Sequence, residues 1–201
     1  EMIAAVRGAE VNGVPLLAAP LVFAQGYGAY ADVSMNGDGR RTADAPDDAL
    51  VVDVGFNTVD VLNIEGGRIA RAGSDTLDKC GVSRMCEELQ AAVKAKKNIR
   101  LTPVEAAAVL RTGRYRVYGC EEDCSAETGE IVGRYAAWLC NELESRWEER
   151  IKRAAKLILV GGGAHYLKDR MPERYRGMLV IPDEPEYANA RGFCKLVRRE
   201  A

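Results

Sequence analysis

Residues 51–60 read Val-Val-Asp-Val-Gly-Phe-Asn-Thr-Val-Asp, an apolar stretch that reaches a carboxylate at Asp53, turns at Gly55 and leaves through Val61, Leu62 and Ile64. A polyphosphate is bound by a tight turn whose backbone amides no side chain obstructs, with small polar groups beside them. Gly55 supplies the opening, and Phe56, Asn57 and Thr58 complete the turn. A magnesium ion on such phosphates keeps several waters, and a carboxylate at a strand end holds one of those waters. Asp53, with Asp60 behind it, is the candidate for that task. The same residues also suit a β-hairpin with a Gly-Asn turn and two solvated acids. The segment alone leaves both readings open.

A second glycine cluster, Gly161-Gly162-Gly163-Ala164, follows the apolar run that ends at Val160. Three glycines after a buried strand let another group approach the backbone, and the N-terminus of a following helix favours acceptors and anions. A nucleoside suits this place, and so does a plain strand-to-helix turn. Turns at the carboxyl ends of strands in an α/β sheet share a cleft. The joint expectation is a nucleotide whose phosphates meet Gly55–Thr58 and whose adenosine end meets Gly161–Ala164. Tyr166 either stacks on a base or packs in the core. His165, the only histidine, reads as a surface or hydrogen-bonding residue rather than a catalyst.

The elements that must hold these turns follow from periodicity. Three consecutive strands are expected at about 49–55, 58–65 and 68–73, the last two joined by Glu65-Gly66-Gly67-Arg68. A covering helix is expected from Ser74 or Asp75 to Lys96, with Leu77, Val82, Met85, Leu89 and Val93 on one face and Gly81 as its weak point. Thr102-Pro103-Val104-Glu105 announces another helix through a capping box, and Gly113 ends it. A short strand at Tyr115–Tyr118 and an acidic loop at Cys120–Cys124 precede a long helix from Ser125 to Ala155. Its buried stripe is Ile131, Tyr135, Trp138, Leu139, Leu143 and Trp147. A strand at Lys156–Val160, a short helix at Tyr166–Arg170, a strand at Met178–Ile181 and a helix over Ala188–Arg198 complete the order. The class is α/β: βββα, an insertion at about 98–124, a helix, then βαβα, giving a mixed sheet with helices on both faces.

Composition excludes other classes. The 201 residues are 47% hydrophobic and 29% charged, as in an ordinary globular chain rather than a disordered or membrane one. With 28 basic and 30 acidic residues the net charge is −2, so no global field draws nucleic acid, and no direct nucleic-acid partner is expected. The local basic run Arg150, Lys152, Arg153, Lys156 reads as a solvated helix end. No signal peptide and no apolar run of transmembrane length are present, so the expectation is a cytoplasmic protein without a membrane partner. The six cysteines are read as reduced thiols, with a Cys120–Cys124 clip as the alternative.

With both glycine motifs in place, the chain resembles the actin, sugar-kinase and chaperone ATPase superfamily, and within it the bacterial and archaeal actin-like proteins related to ParM. Asp53–Asp60 is similar to the second phosphate motif, Leu159–Ala164 to the adenosine motif, Pro185–Phe193 with its Ala-Asn-x-x-Gly pattern to the closing helix, and Ala24–Tyr30 to the first connecting segment. The resemblance implies a ribonuclease H-like, actin-type lobe with a small inserted helical subdomain. It also implies ATP or GTP with Mg2+, and places Gln25 where the attacking water is oriented.

The family's earlier half, with its own phosphate turn, has no counterpart in residues 1–24. The expectation is therefore a second lobe over 25–201, with 1–24 as a connection to the missing first lobe or a remnant of it. Whether it is an engineered fragment, a proteolytic product or a naturally reduced form is left open. The implied function is the nucleotide-binding lobe of a filament-forming ATPase of the plasmid- or DNA-segregation type, which self-associates and reaches DNA through an adaptor, and which is inactive as one lobe. The alternative is a non-catalytic actin-fold assembly or binding module.

Overall fold

The computed structural model describes residues 9–15 and 21–200. The assignment of 1–24 to a connection or remnant therefore lies largely outside the described residues. Strands β1 (Glu10–Val11) and β2 (Val14–Pro15) form a small hairpin, and helix α1 spans Tyr27–Ser34. Strands β3 (Ala49–Val54), β4 (Val59–Glu65) and β5 (Arg68–Leu77) form an antiparallel meander. Helices α2 (Val82–Lys97) and α3 (Pro103–Thr112) follow, then the hairpin β6 (Arg114–Val117) and β7 (Cys120–Asp123). The long helix α4 (Ser125–Arg153) leads to β8 (Lys156–Val160), the short α5 (Ala164–Leu167), β9 (Leu179–Val180) and the closing α6 (Ala188–Glu200).

The main sheet has the order β5-β4-β3-β8-β9, antiparallel through β3 and parallel beyond it. Every residue of β3 is buried, which is what an apolar strand covered on both faces requires. Side chains alternate across the sheet. Leu50, Val52, Val54, Leu157 and Leu159 face the large core built with α2, α3 and α4. Val51, Leu62, Ile64, Ile158 and Val160 face a smaller core closed by Ala29 and Tyr30 of α1 and Ala188 of α6. The mixed α/β sheet with helices on both faces is the expected one.

Several boundaries differ from the sequence expectation, each for a local reason. The strand expected at 68–73 continues to Leu77, because a bulge opposite Val61 and Asn63 lets Asp75, Thr76 and Leu77 resume pairing with Val61, Asp60 and Val59. Ser74 Oγ accepts from the Asn63 amide across that bulge at 3.0 Å. The covering helix consequently starts at Val82, and Gly81 is its N-cap rather than a weak point within it. A β-carbon there would come within 2.5 Å of the Phe56 carbonyl oxygen.

The insertion is not purely helical: α3 is followed by the β6–β7 hairpin, whose second strand is the acidic segment expected as a loop. The capping box of α3 forms as read, with Glu105 N donating to Thr102 Oγ1 at 3.2 Å and Thr102 N donating to Glu105 Oε2 at 2.7 Å. In α4 the aromatic stripe packs inward, and Trp147 marks a kink where its indole donates to the Gly73 carbonyl at 2.7 Å. All six cysteines are free. Among the described residues no helix is long and apolar enough to cross a membrane.

Candidate functional site

Both glycine turns stand at the carboxyl ends of adjacent parallel strands, because β3 and β8 pair with Asp53 opposite Val160. The turn after β3 has an asymmetric use of its backbone. The Gly55, Phe56 and Asn57 carbonyls accept from Val82 N, Ser83 N and Gly81 N at 3.1, 2.7 and 3.2 Å, so the first turn of α2 satisfies them. Gly55 N donates to the Thr58 carbonyl at 2.9 Å, which removes it from the amides the sequence offered. Among the described residues, the amides of Phe56, Asn57 and Thr58 have no acceptor in the chain. Three successive N–H groups left unspent in one tight turn are donors available to an anion such as a phosphate.

The second turn packs onto the first strand. Gly163 N donates to the Val54 carbonyl at 2.9 Å, and Gly161 N donates to the Pro185 carbonyl at 3.0 Å. A β-carbon at Gly161 would come within 2.5 Å of the Val54 carbonyl oxygen, and its φ of +81° is a conformation that L side chains rarely adopt. A β-carbon at Gly163 would lie 2.7 Å from Val54 Cβ. Gly162 is different: nothing lies within 4 Å of the place its β-carbon would take. Gly161, Gly163 and the buried Ala164 thus hold the turn against β3, and Gly162 is the glycine that faces open space.

That space is a cavity of about 500 Å³ lined by Gly55 and Phe56 from the first turn, Gly162 from the second, Leu110 and Arg111 from α3, and Tyr166. Its volume suits a small organic ligand. Of the four residues expected to meet adenosine, Gly161–Ala164, only Gly162 is among those lining the cavity. Tyr166 is half-buried, packing on the core while lining the cavity. His165 is exposed at the rim, its Nε2 2.8 Å from Glu186 Oε2. Sequence reading missed Arg111 and Glu186, since an isolated charged residue on α3 and one in the 3-10 turn Pro185–Tyr187 carry no spacing signal.

The acidic groups form the neighbouring part of the site. Asp53 and Asp60 are opposite each other in the β3–β4 ladder, so their side chains share the α1 face of the sheet. Asp60 is committed to its hairpin, accepting from Thr76 Oγ1 at 2.6 Å and from Thr58 Oγ1 at 3.1 Å. Asp53 is 4% exposed and its Oδ2 accepts from Asn189 Nδ2 at 2.6 Å. Burial pushes the Asp53 carboxyl above its ordinary range. The Asn189 and Gln25 amides pull it back and the Asp60 charge adds to the rise. Gln25 is exposed and precedes α1, whose first turn is fixed by Asn189 Oδ1 accepting from Gly26 N at 2.9 Å and Ala29 N at 3.1 Å.

The structure thus brings Gln25, Asp53 and Asp60 to one edge, and Gly55 and Phe56 with Gly162 to the adjoining cavity, while Asn57 and Thr58 are not among the residues that line it. Among the described residues no group of three or more His, Cys, Asp or Glu is placed to hold a metal ion. The carboxylates suit outer contacts to a hydrated cation rather than a protein cage.

The model of the archaeal actin homologue MreB-like C-terminal family matches residues 51–173. The sequence matches no curated protein closely enough to be called a relative. Among solved structures, the archaeal actin homologue Ta0583 is 24% identical with a TM-score of 0.76 over 88% of this chain and 54% of that one, and it has also been solved in complex with ADP. A ParM filament from Clostridium botulinum is 21% identical, TM-score 0.69, over 90% of this chain and 53% of that one. Bacillus thuringiensis ParM with AMPPNP is 15% identical, TM-score 0.67, over 87% of this chain and 54% of that one. The chain spans about half the length of these structures, and at such identities the likeness is one of fold. With the family model covering more than half of its residues, the chain belongs to the archaeal MreB-like family of actin homologues, as its C-terminal domain.

Proposed function

We propose that this chain is the nucleotide-binding lobe of an actin-like ATPase that closes around ATP with a second lobe and assembles into filaments. The observation that carries the reading is the set of three unspent amides at Phe56, Asn57 and Thr58, in a turn whose Gly55 and Phe56 line one cavity with Gly162. The ADP complex of Ta0583 and the AMPPNP complex of the Bacillus protein support an adenine nucleotide, with GTP the alternative that only binding resolves. The Clostridium filament supports self-association. A role in plasmid or DNA segregation, through an adaptor rather than by direct DNA contact, rests on likeness to ParM alone.

In this reading the Phe56–Thr58 amides receive phosphate oxygens, and the bare backbone of Gly162 admits the nucleoside while Tyr166 and Leu110 give it apolar cover. Magnesium, when bound with the nucleotide, neutralises phosphate charge. Asp53 would be the acceptor for a water of that ion, with Asp60, held by Thr58 and Thr76, as the second negative charge of the edge. Gln25, a neutral amide that donates and accepts, orients the attacking water. Catalysis is then positioning and electrostatics, without a covalent step on the protein.

The test is turnover and polymerisation by the full-length protein. Asp53→Ala and Gln25→Ala are each expected to lower the ATP hydrolysis rate about 100-fold while ADP still binds. Unchanged turnover and unchanged polymerisation in both variants would favour the non-catalytic assembly module instead.

A further inference from the structure

Asn189 is a single side chain that joins the two elements carrying the proposed chemistry. Its Oδ1 receives two backbone N–H groups at the start of α1, and its Nδ2 donates to Asp53 Oδ2. The α1 helix has no cap of its own, since its N-cap is Gly26 and no local side chain accepts there. The cap arrives from α6, which is 163 positions away in sequence. The orientation of the amide is dictated by its partners: two donors demand the oxygen and a carboxylate demands the nitrogen.

We infer that Asn189 is a positioning residue for hydrolysis, holding the Asp53 carboxylate and the Gln25 turn in one fixed relation. The inference rests on the reading of Asp53 and Gln25 given above. Gln25 immediately precedes Gly26, so the bond from Gly26 N to Asn189 Oδ1 fixes the backbone from which the Gln25 amide projects. Asp53 projects from β3, a different element, on the face of the sheet that α1 covers. The Gln25 amide also bonds Asp53 directly, but Gln25 is exposed, so the Asn189 tie is what holds the two backbones in register, and small misplacements of catalytic groups are costly.

The surroundings show that the tie is built rather than incidental. Gly28 leaves room for the α6 backbone at Asn189, where a β-carbon would meet the Asn189 carbonyl oxygen at 2.5 Å. On the outer side of the same two helices, Asp32 is held by Arg191 Nη2 at 2.7 Å and by Lys195 Nζ at 2.9 Å. Those two cations are therefore engaged away from Asp53, and the charge acting on Asp53 is that of Asp60 on β4.

Two variants separate positioning from simple helix capping. Asn189→Asp keeps an acceptor for the α1 amides and replaces the donor facing Asp53 with a second carboxylate. Asn189→Ser keeps a hydroxyl near the cap but is too short to reach Asp53. In the full-length protein, both should bind ADP with an affinity close to wild type and lower kcat for ATP about 100-fold. For Asn189→Asp, the ratio of variant to wild-type kcat should rise as pH falls from about 7.5 to 5.5, because protonating one acid restores a donor between them. A purely structural role would move the melting temperature and leave that ratio independent of pH. Asp53→Asn is the control for the underlying reading. If Asp53→Asn hydrolyses ATP normally, the role of Asp53 fails and the inference fails with it. If Asp53→Asn is inactive while both Asn189 variants keep wild-type kcat, the site reading stands and the positioning role of Asn189 is wrong.

Discussion

Gly192 of α6 lies on the backbone of Gly28 in α1 so closely that a β-carbon at Gly192 would overlap the Gly28 carbonyl oxygen and come within 2.5 Å of its carbonyl carbon. The two helices cross backbone to backbone, and this contact sets the depth at which Asn189 reaches Asp53. Gly192→Ala should therefore force the helices apart and destabilise the lobe by about 3 kcal/mol. Gly28→Ala should act on the same contact, so the double variant should lose less than the sum of the two. Chemical denaturation of the three variants checks this, and full additivity would contradict a shared contact.

The three glycines after β8 should respond differently to one added methyl group. Gly163→Ala drives a β-carbon into Val54, and Gly161→Ala adds a strained backbone conformation to a clash with the Val54 carbonyl. Each should lower the melting temperature by several degrees, on the order of 2 kcal/mol or more. Gly162→Ala meets open space, so its melting temperature should stay near wild type while its affinity for ADP falls. Thermal melts paired with calorimetric titration distinguish the two behaviours.

Asp53 opposes stability at neutral pH. Its carboxyl titrates above the ordinary range because burial disfavours the charge. The folded state therefore binds more protons than the unfolded state between the ordinary value, about 3.9, and the raised one. Stability contributed by this group is present below the ordinary value and is lost as pH rises through the raised one. Asp53→Asn should accordingly raise the melting temperature at neutral pH, and that gain should vanish in acid. Melting curves of wild type and variant across pH provide the check, and a variant less stable at neutral pH would contradict the account.

The cysteines offer a test of packing. Cys86, Cys124 and Cys140 are buried, and burial raises the pKa of each thiol, whereas Cys120 and Cys194 are exposed. Timed modification of the native protein followed by peptide mapping should label Cys120 and Cys194 first. Equal rates for Cys86 would mean that the α2 face is not covered as described.

Much of this arrangement was legible in the sequence because it depends on local pattern. The apolar run of β3, the capping box at Thr102 and the glycines after Val160 each announce themselves within a few residues. The β5–α2 boundary was not legible. Leu77 falls five residues before Val82, near enough to the helical stripe of Val82, Met85, Leu89 and Val93 to be read with it, but the choice between strand and helix was made by Asp60 and Val61 on the neighbouring strand and by the Phe56 carbonyl against Gly81. Asn189 stands within the Ala-Asn-x-x-Gly packing pattern, yet its bonds to Asp53, Gly26 and Ala29 span 136 to 163 residues. Only an amide set between the small residues Ala188 and Ala190, three positions before Gly192, hinted at it.

The central claim is that a nucleotide lies between the Phe56–Thr58 amides and Gly162. The most direct measurement is the backbone amide spectrum of the full-length protein, titrated with ADP and magnesium. The account predicts saturable shifts at Phe56, Asn57, Thr58 and Gly162, with Gly55 N–H, already bonded to Thr58, moving less. Saturable binding that left these amides unmoved, or no binding at millimolar ADP, would contradict it.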